Sequence, residues 1–332
     1  MIKSKPGSLN QLLRKVLASP KAPIYHYTSV HGLLDILKSR ELWATDATSL
    51  NDLTEVVQGW DYITKWLQKQ SYKNEILDKL TAIARDQNFT SKSNICVLSA
   101  STLKDDANQW RLYAKGGSGY VIEIDPKVDL AIVTSECGFQ DQEDISEPAR
   151  GGLTAASSDW FDLAPWYYVL YRDKDKDAAL QQFVSNAQRL VAPSFRNAEE
   201  RSLYWDRFEG YLRVGLDSIA RMIKIEGFAG EKEVRATAVF WGKEIGPHQM
   251  FRSTPFGIAA YARLAAPSSP GYWDRELIRV GQGDENRHKV PIKSIGIGPL
   301  LKDRDQKQIL ETLCTRYGID EVEIWNSEVP LR

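Results

Sequence analysis

Cysteine is scarce in this chain. The three thiols, Cys96, Cys137 and Cys314, lie far apart with no paired spacing, which argues against a disulfide scaffold and fits a reducing compartment. Histidine is equally thin: of His26, His31, His248 and His288, only the first two are close, and they straddle a strand-to-helix turn. A zinc site therefore has no ligand spacing to stand on. No apolar run approaches the roughly 18 residues needed to span a bilayer, and the N-terminus has no signal-peptide core. The expectation is a cytoplasmic protein without a membrane partner. Neither charge sign is in excess, with 43 Lys and Arg against 44 Asp and Glu. Interleaved charges give no global reason to bind nucleic acid, although a local basic groove stays open.

Aromatic residues are plentiful, with ten Trp and fourteen Tyr. Such rings serve first as core mass and second as stacking surfaces for flat ligands. At 332 residues the chain is expected to form a single elaborated domain.

The organising stretch runs from Ile24 to Glu55. Ile24 to Ser29 is aromatic and β-branched after a proline and reads as a strand, with Thr28 or Ser29 able to cap the adjoining helix. His31 to Ser39 carries Leu33, Leu34, Ile36 and Leu37 on one helical face, and Glu41 to Thr45 returns as a strand. His26 thus sits on a strand just ahead of a helix. Further helices are expected at Leu9 to Leu17, Asp52 to Lys69, Tyr72 to Arg85, Asp105 to Ala114, Ala178 to Val191, Leu203 to Ile225 and Asp305 to Tyr317. The short helix brings Trp110 and Tyr113, at i and i+3, to neighbouring positions. Strands are expected at Asn94 to Ser101, Tyr120 to Ile124, Phe228 to Trp241, Leu277 to Val280, Ser294 to Gly298 and Glu321 to Trp325. The glycines between Lys115 and Gly119 precede a strand and lack a following Lys-Ser or Lys-Thr, so they read as a turn and not a phosphate loop. Val128 to Arg172 shows no clear pattern. Strands alternating with helices without a strict βαβ repeat give an α+β class. The sheet core is expected at residues 23–125 and 228–332, with 126–227 a mostly helical insertion.

On a strand of period two, Glu231, Glu233 and Arg235 share a face. A like-signed pair there is costly unless something cationic meets it, and Arg235 or a ligand whose reaction develops positive charge would both answer that need. Rupture of the nicotinamide–ribose bond of NAD passes through an oxocarbenium-like state that a neighbouring carboxylate stabilises. A strand histidine can hydrogen-bond a ribose hydroxyl, and a tyrosine face can stack on nicotinamide. His26, Tyr27, Tyr113 and Glu233 supply those parts. A second reading uses Asp46, Asp52, Glu55, Glu123 and Asp125 to hold Mg²⁺ for phosphodiester hydrolysis. A third is a non-catalytic nucleotide- or partner-binding module. Cys96, in the most apolar strand, reads as a small core residue.

Several blocks in order resemble a bacterial family catalogued as domain of unknown function 2971. They are Y-H-Y-T-S at Tyr25 to Ser29, L-N-D-L-T-E at Leu50 to Glu55, V-L-S-A-S at Val97 to Ser101, W-R-L-Y-A at Trp110 to Ala114, E-K-E-V-R at Glu231 to Arg235 and I-G-I-G-P ending at Pro299. The first block is also similar to the opening of DarT-type ADP-ribosyltransferases, toxins that modify nucleic acid. That resemblance implies a split, mixed or antiparallel sheet with flanking helices and NAD as substrate. It also implies a macromolecular acceptor, RNA or DNA ahead of protein, an antitoxin partner, and a role in antiphage defence. It makes His26 a ribose ligand and Glu233 the catalytic acid. Tyr27, Thr28, Tyr113 and Glu231 become the rest of the NAD pocket, and Asn51, Asp52, Glu55, Trp110 and Arg235 the pocket wall or acceptor platform.

Overall fold

The computed structural model describes residues 13, 15–49, 55–71, 74–86, 93–135, 160–191, 197–241, 249–254, 257–268, 273–274, 277–280, 288–301, 304–319 and 321–330. Strand β1 (Ile24–Thr28) leads into helix α1 (Val30–Ser39), where the Ser29 hydroxyl accepts the Gly32 amide at 3.1 Å as N-cap. A side chain at position 32 would drive into the Thr28 hydroxyl, 2.2 Å from an added Cβ. Arg40, left-handed at φ 59°, ends the helix and starts β2 (Leu42–Asp46). Helices α2 (Glu55–Gln68) and α3 (Glu75–Arg85) come next, then β3 (Ser93–Ser101), α4 (Ala107–Tyr113) and β4 (Tyr120–Ile124).

The segment without a legible pattern supplies two strands, β5 (Ala131–Ser135) and β6 (Trp160–Tyr168), before the helices α5 (Asp173–Leu190) and α6 (Ala198–Ala220). Residues 126–227 are therefore helical in their second half but contribute to the main sheet in their first. The chain continues through β7 (Glu233–Trp241), β8 (Gln249–Thr254), β9 (Gly257–Pro267), β10 (Trp273–Asp274), β11 (Leu277–Val280), β12 (His288–Lys289) and β13 (Ile292–Ile297). It closes with α7 (Gln306–Arg316) and β14 (Glu323–Asn326). Sequence patterning misses β5, β6, β8, β9, β10 and β12. The expected helix from Leu9 to Leu17 falls mostly outside the described residues, as do Cys137 and His248.

The result is a mixed α/β fold on a mixed sheet, mainly antiparallel, with parallel pairs only at β5–β11 and β13–β14 among the described strands. Its central strand forks. β7 pairs along the whole of β3, Ser93 facing Trp241 and Ser101 facing Glu233. On the other edge, β2 meets β3 at Cys96 and Val97 while β1 meets it only at Ser101. Leu98, Ser99 and Ala100 are left on that edge without a strand partner among the described residues. One arm of the fork runs β1-β4-β13-β14 and the other β2-β9-β5-β11-β10.

Alternation then sorts the side chains. Cys96, Leu98 and Ala100 of β3 with Val234, Ala236 and Ala238 of β7 face the main core, where Leu33, Ile36 and Leu37 of α1 and Leu310 and Cys314 of α7 close over them. The opposite face near β6 is covered by α2, α3, α5 and α6 through Trp60, Leu80, Phe183, Leu216 and Ile219. β6 reaches both layers because it bulges between Ala164 and Tyr167: Leu163 and Trp166 join one core, Ala164 and Tyr167 the other. Among the described residues no helix is long and apolar enough to cross a membrane.

Candidate functional site

The last turn before β7 decides the geometry of the acidic pair. Residues Glu226–Glu231 form a 3-10 turn, Lys232 adopts a left-handed conformation at φ 48°, and only then does the strand start at Glu233. The shared strand face expected for Glu231, Glu233 and Arg235 therefore holds only for the last two. Glu231 is brought back to them by side chains. Lys224 Nζ donates to Glu231 Oε2 at 2.8 Å and to Glu233 Oε2 at 3.1 Å. Arg235 grips Glu233 with both Nε, at 2.7 Å to Oε1, and Nη2, at 2.9 Å to Oε2. The Tyr113 hydroxyl, from the end of α4, donates to Glu231 Oε1 at 2.9 Å. Main-chain contacts pin the turn: the Ser101 hydroxyl and the Gln109 amide both donate to the Glu231 carbonyl, and the Glu233 amide donates to the Tyr171 hydroxyl.

The two acids differ in what is left to them. Burial alone would raise the Glu233 carboxyl, but the Arg235 guanidinium, Lys224 and a hydrogen bond from the Ser99 hydroxyl outweigh it and hold the group at about 2. Glu233 is an anion at every ordinary pH, and both its oxygens are taken. Glu231 keeps 13% of its side chain open to solvent against 9% for Glu233. It lies beside the exposed ring of Tyr113, whose hydroxyl is pushed up by burial and by the Glu231 charge. Phe228, also exposed, carries Lys224 4.7 Å from its ring centroid. Behind this layer Arg221 and Asp217 form a fully buried ion pair, with Arg221 also donating to the Thr237 hydroxyl. Three cations and three carboxylates balance within one network.

His26 sits in the fork. Its Nδ1 lies 2.8 Å from the Ser99 carbonyl, on the edge of β3 that no strand covers there. A carbonyl only accepts, so Nδ1 carries the proton and Nε2 keeps its lone pair. Burial lowers the imidazole pKa and Arg252 adds to this, against the opposing hydrogen bond to Ser99, so the ring is neutral at pH 7. The register does not place it on the Glu233 face. Tyr25, Ser101 and Glu233 form one row across β1, β3 and β7, and His26 belongs to the alternate row with Ile122. What links the two is Ser99: its carbonyl holds the imidazole, and its side chain adds to the lowering of the Glu233 carboxyl.

The remaining candidates disperse. Tyr27 is buried, packs edge-on against Trp110 at 4.9 Å, and uses its hydroxyl to donate to the Leu103 carbonyl and accept the Asp106 amide. Trp110 is fully buried with its indole N–H on Asp105. Both are placed in the core that positions α4, from which Tyr113 reaches the Glu231 carboxylate and Gln109 the Glu231 carbonyl. Thr28 lies against the first turn of α1. Asn51 and Asp52 lie outside the described residues, and so does the Glu55 side chain. Of the carboxylates expected to hold Mg²⁺, Glu123 accepts from Ser294 and Asp125 pairs with Lys293, while Asp52 and the Glu55 side chain lie outside the described residues. No group of three metal-ligating side chains occurs among the described residues. Cys96 is buried and its thiol, pushed up to about 12 by burial, is inert. Sequence patterning does not single out Lys224, Tyr171 or Ser99. Lys224 and Tyr171 reach the site through the isolated bridge Leu170–Ile223, a contact with no local signal.

The stretch from Gln109 to Ala236 matches the family model described as Protein of unknown function (DUF2971). The match covers residues 109–236, less than half of the chain. The DUF2971 stretch contains Tyr113, Lys224, Glu231, Glu233 and Arg235, the whole acid–base network, whereas β1 with His26 precedes it. No curated protein and no solved structure matches the chain.

Proposed function

We propose that this chain transfers ADP-ribose from NAD to a macromolecular acceptor, nucleic acid ahead of protein, and acts as a toxin of antiphage defence. One observation carries the reading: the Ser99 carbonyl holds a neutral imidazole whose Nε2 has no partner among the described residues, and the Ser99 side chain adds to the charges that keep the Glu233 carboxylate ionised. Nε2 can accept a hydrogen bond from a ribose hydroxyl. As the bond from ribose C1′ to nicotinamide breaks, nicotinamide leaves with the electron pair, and the positive charge that develops on the ribose is met by the acidic network. Within that network Glu231 is the member facing the ligand, because it retains solvent contact and an aromatic neighbour in Tyr113. Glu233 serves by keeping Lys224 and Arg235 in place. The acceptor then bonds to C1′ and passes its proton to the Glu231 carboxylate.

Labelled NAD offered with RNA, DNA and protein acceptors, with and without Mg²⁺, tests this. Label should pass to one acceptor class without a metal requirement, and Glu231→Gln should lose transfer while still folding to a cooperatively unfolding protein. No NAD consumption with any acceptor, or Mg²⁺-dependent cleavage of the nucleic acid without NAD, would discard the proposal in favour of the other readings.

A further inference from the structure

Arg252, on β8, is the one cation in this part of the fold whose charge has no evident answer among the described residues. Its Nη2 donates to the Thr45 hydroxyl at 2.6 Å. Its guanidinium lies 5.6 Å from the centroid of Trp43 and 5.8 Å from that of Tyr261. Register explains the grouping: Thr45 pairs with Tyr261, Trp43 with Arg263, and Arg252 with Ala259, so Thr45, Trp43, Tyr261 and Arg252 share one face of β2, β9 and β8. No carboxylate lies within ion-pair distance of Arg252 among the described residues. The acid nearest in effect is Asp35, exposed on α1, and it forms no ion pair with Arg252. Nε is buried without an acceptor. Nη1 makes no hydrogen bond and is not enclosed. Half-buried guanidinium groups are ordinarily paired, because desolvating a lone charge is costly. Stacking on two rings offsets part of that cost and leaves the hydrogen-bonding capacity unused.

The neighbours are those of an anion site. The Thr45 hydroxyl accepts from Arg252 and so has its own proton to donate. The Arg252 charge adds to the lowering of His26, so an anion bound at Arg252 would offset that effect and raise the imidazole. Among the described strands β8 pairs only with β9, and Arg252 itself is partly exposed to solvent. We propose that Arg252 and Thr45 form a binding site for a phosphate or diphosphate group at the mouth of the fork. The occupied aromatic faces of Trp43 and Tyr261 leave the planar part of a ligand to bind elsewhere, so the recognised chemistry is the anion itself. The inference stands on Arg252 and its surroundings, independently of the ADP-ribosyl reading.

Inorganic pyrophosphate is the probe. Calorimetry at low salt should detect its binding to the full chain, weakened by about tenfold or more in Arg252→Gln, in line with loss of a charge-assisted contact. In the unmodified protein, saturation with pyrophosphate should move the His26 ring resonances and raise the pH at which they titrate. The second measurement needs no variant, so a failure of Arg252→Gln to fold does not blunt the test. Binding that leaves the His26 resonances still, or that is equal in wild type and a folded Arg252→Gln, overturns the site. Pyrophosphate binding of the expected kind in a protein that never consumes NAD supports this site while removing the proposed activity. NAD turnover without any pyrophosphate binding does the reverse.

Discussion

Replacing Glu233 by Gln isolates the energetics of the acid–base network. The folded-state group sits at about 2 against an ordinary 4.5, a difference of about 2.5 units, or roughly 3 kcal/mol at about 1.4 kcal/mol per unit. The sign comes from the depressed folded value. Stability from this carboxylate is fully present above pH 4.5 and is lost as pH falls from there through about 2. Glu233→Gln removes that contribution and leaves Arg235 and Lys224 buried with one acid fewer, a situation that costs about 3–5 kcal/mol in buried ion pairs. The two figures agree. Urea titration at pH 7 should therefore show a midpoint lower by about 1 M, for a slope of about 3 kcal/mol/M. At about pH 3 the difference between wild type and variant should shrink to less than half its neutral value, since the unfolded chain is then protonated. Adding Arg235→Gln to Glu233→Gln should cost less than the two single changes summed, by about 2 kcal/mol, because the pair is lost only once. A neutral-pH loss under about 1 kcal/mol, or one unchanged at pH 3, would refute the idea that charge pairing holds the turn together.

Glu41 works in the opposite direction: burial raises it to about 7 despite Arg263 and the Trp43 indole. The folded state keeps its proton while the unfolded state loses it, so stability should fall as pH rises from 4.5 toward 7, by up to about 3 kcal/mol, and Glu41→Gln should flatten that limb of a pH series of unfolding midpoints. Asp105 accepts from the Trp110 indole at 2.6 Å, the Ser327 hydroxyl at 2.6 Å and the Glu328 amide at 2.8 Å. Asp105→Ala should cost about 2–3 kcal/mol, since the indole N–H is left buried without an acceptor, and amide exchange at residues 327–329 should speed up. Gly59 lies in α2 with the Ala220 carbonyl 2.1 Å from where a Cβ would be. Gly59→Ala should destabilise by about 2 kcal/mol or more although it improves helix propensity by about 1 kcal/mol, and a variant as stable as wild type by thermal unfolding would deny that close approach.

The stretch from β1 to β4 is legible in sequence because each element there obeys its own period and has its own stop signal. Ser29 caps α1, Tyr120 to Ile124 is unbroken, and Leu277 to Val280 is just as plain. β6 is hidden by Pro165 and the bulge around it, which shifts the apolar positions out of alternation. β8 is hidden for a different reason: Met250 and Phe251 are exposed, so its apolar pattern describes a surface and not a core. Glu231 shows how a clean pattern can mislead. E-K-E-V-R alternates perfectly, but Lys232 is left-handed, a conformation that gives no signal in a lysine. The glycines at 227 and 230 are the one available hint that a turn runs up to the strand. Of the site, His26, Glu233, Glu231, Arg235 and Tyr113 are visible in the sequence. Lys224, Tyr171 and Ser99 are not, because their roles come from long-range packing and from a backbone carbonyl that any residue would possess.

The two clusters on this face of the sheet also differ in charge balance, and the difference has a direction. At the β7 end, Lys224 and Arg235 are met by Glu231 and Glu233, so added positive charge is tolerated beside Tyr113. At the β8 end, Arg252 is stacked on rings with no ion pair among the described residues, so added negative charge is favoured there. Val97 of β3 lies beside Thr45, and Ser101 lies beside Glu233. At about 3.3 Å per residue, those two points on one strand are separated by roughly 13 Å. A ligand with a cationic ring at one end and phosphates at the other meets both demands only if it is an extended dinucleotide lying along β3. A compact mononucleotide satisfies one end alone. Binding of ADP-ribose and of nicotinamide should accordingly be sensitive to different residues, Arg252→Gln weakening the first and Tyr113→Ala the second. A single variant that abolishes both equally, with the fold intact, would mean the ends do not act separately.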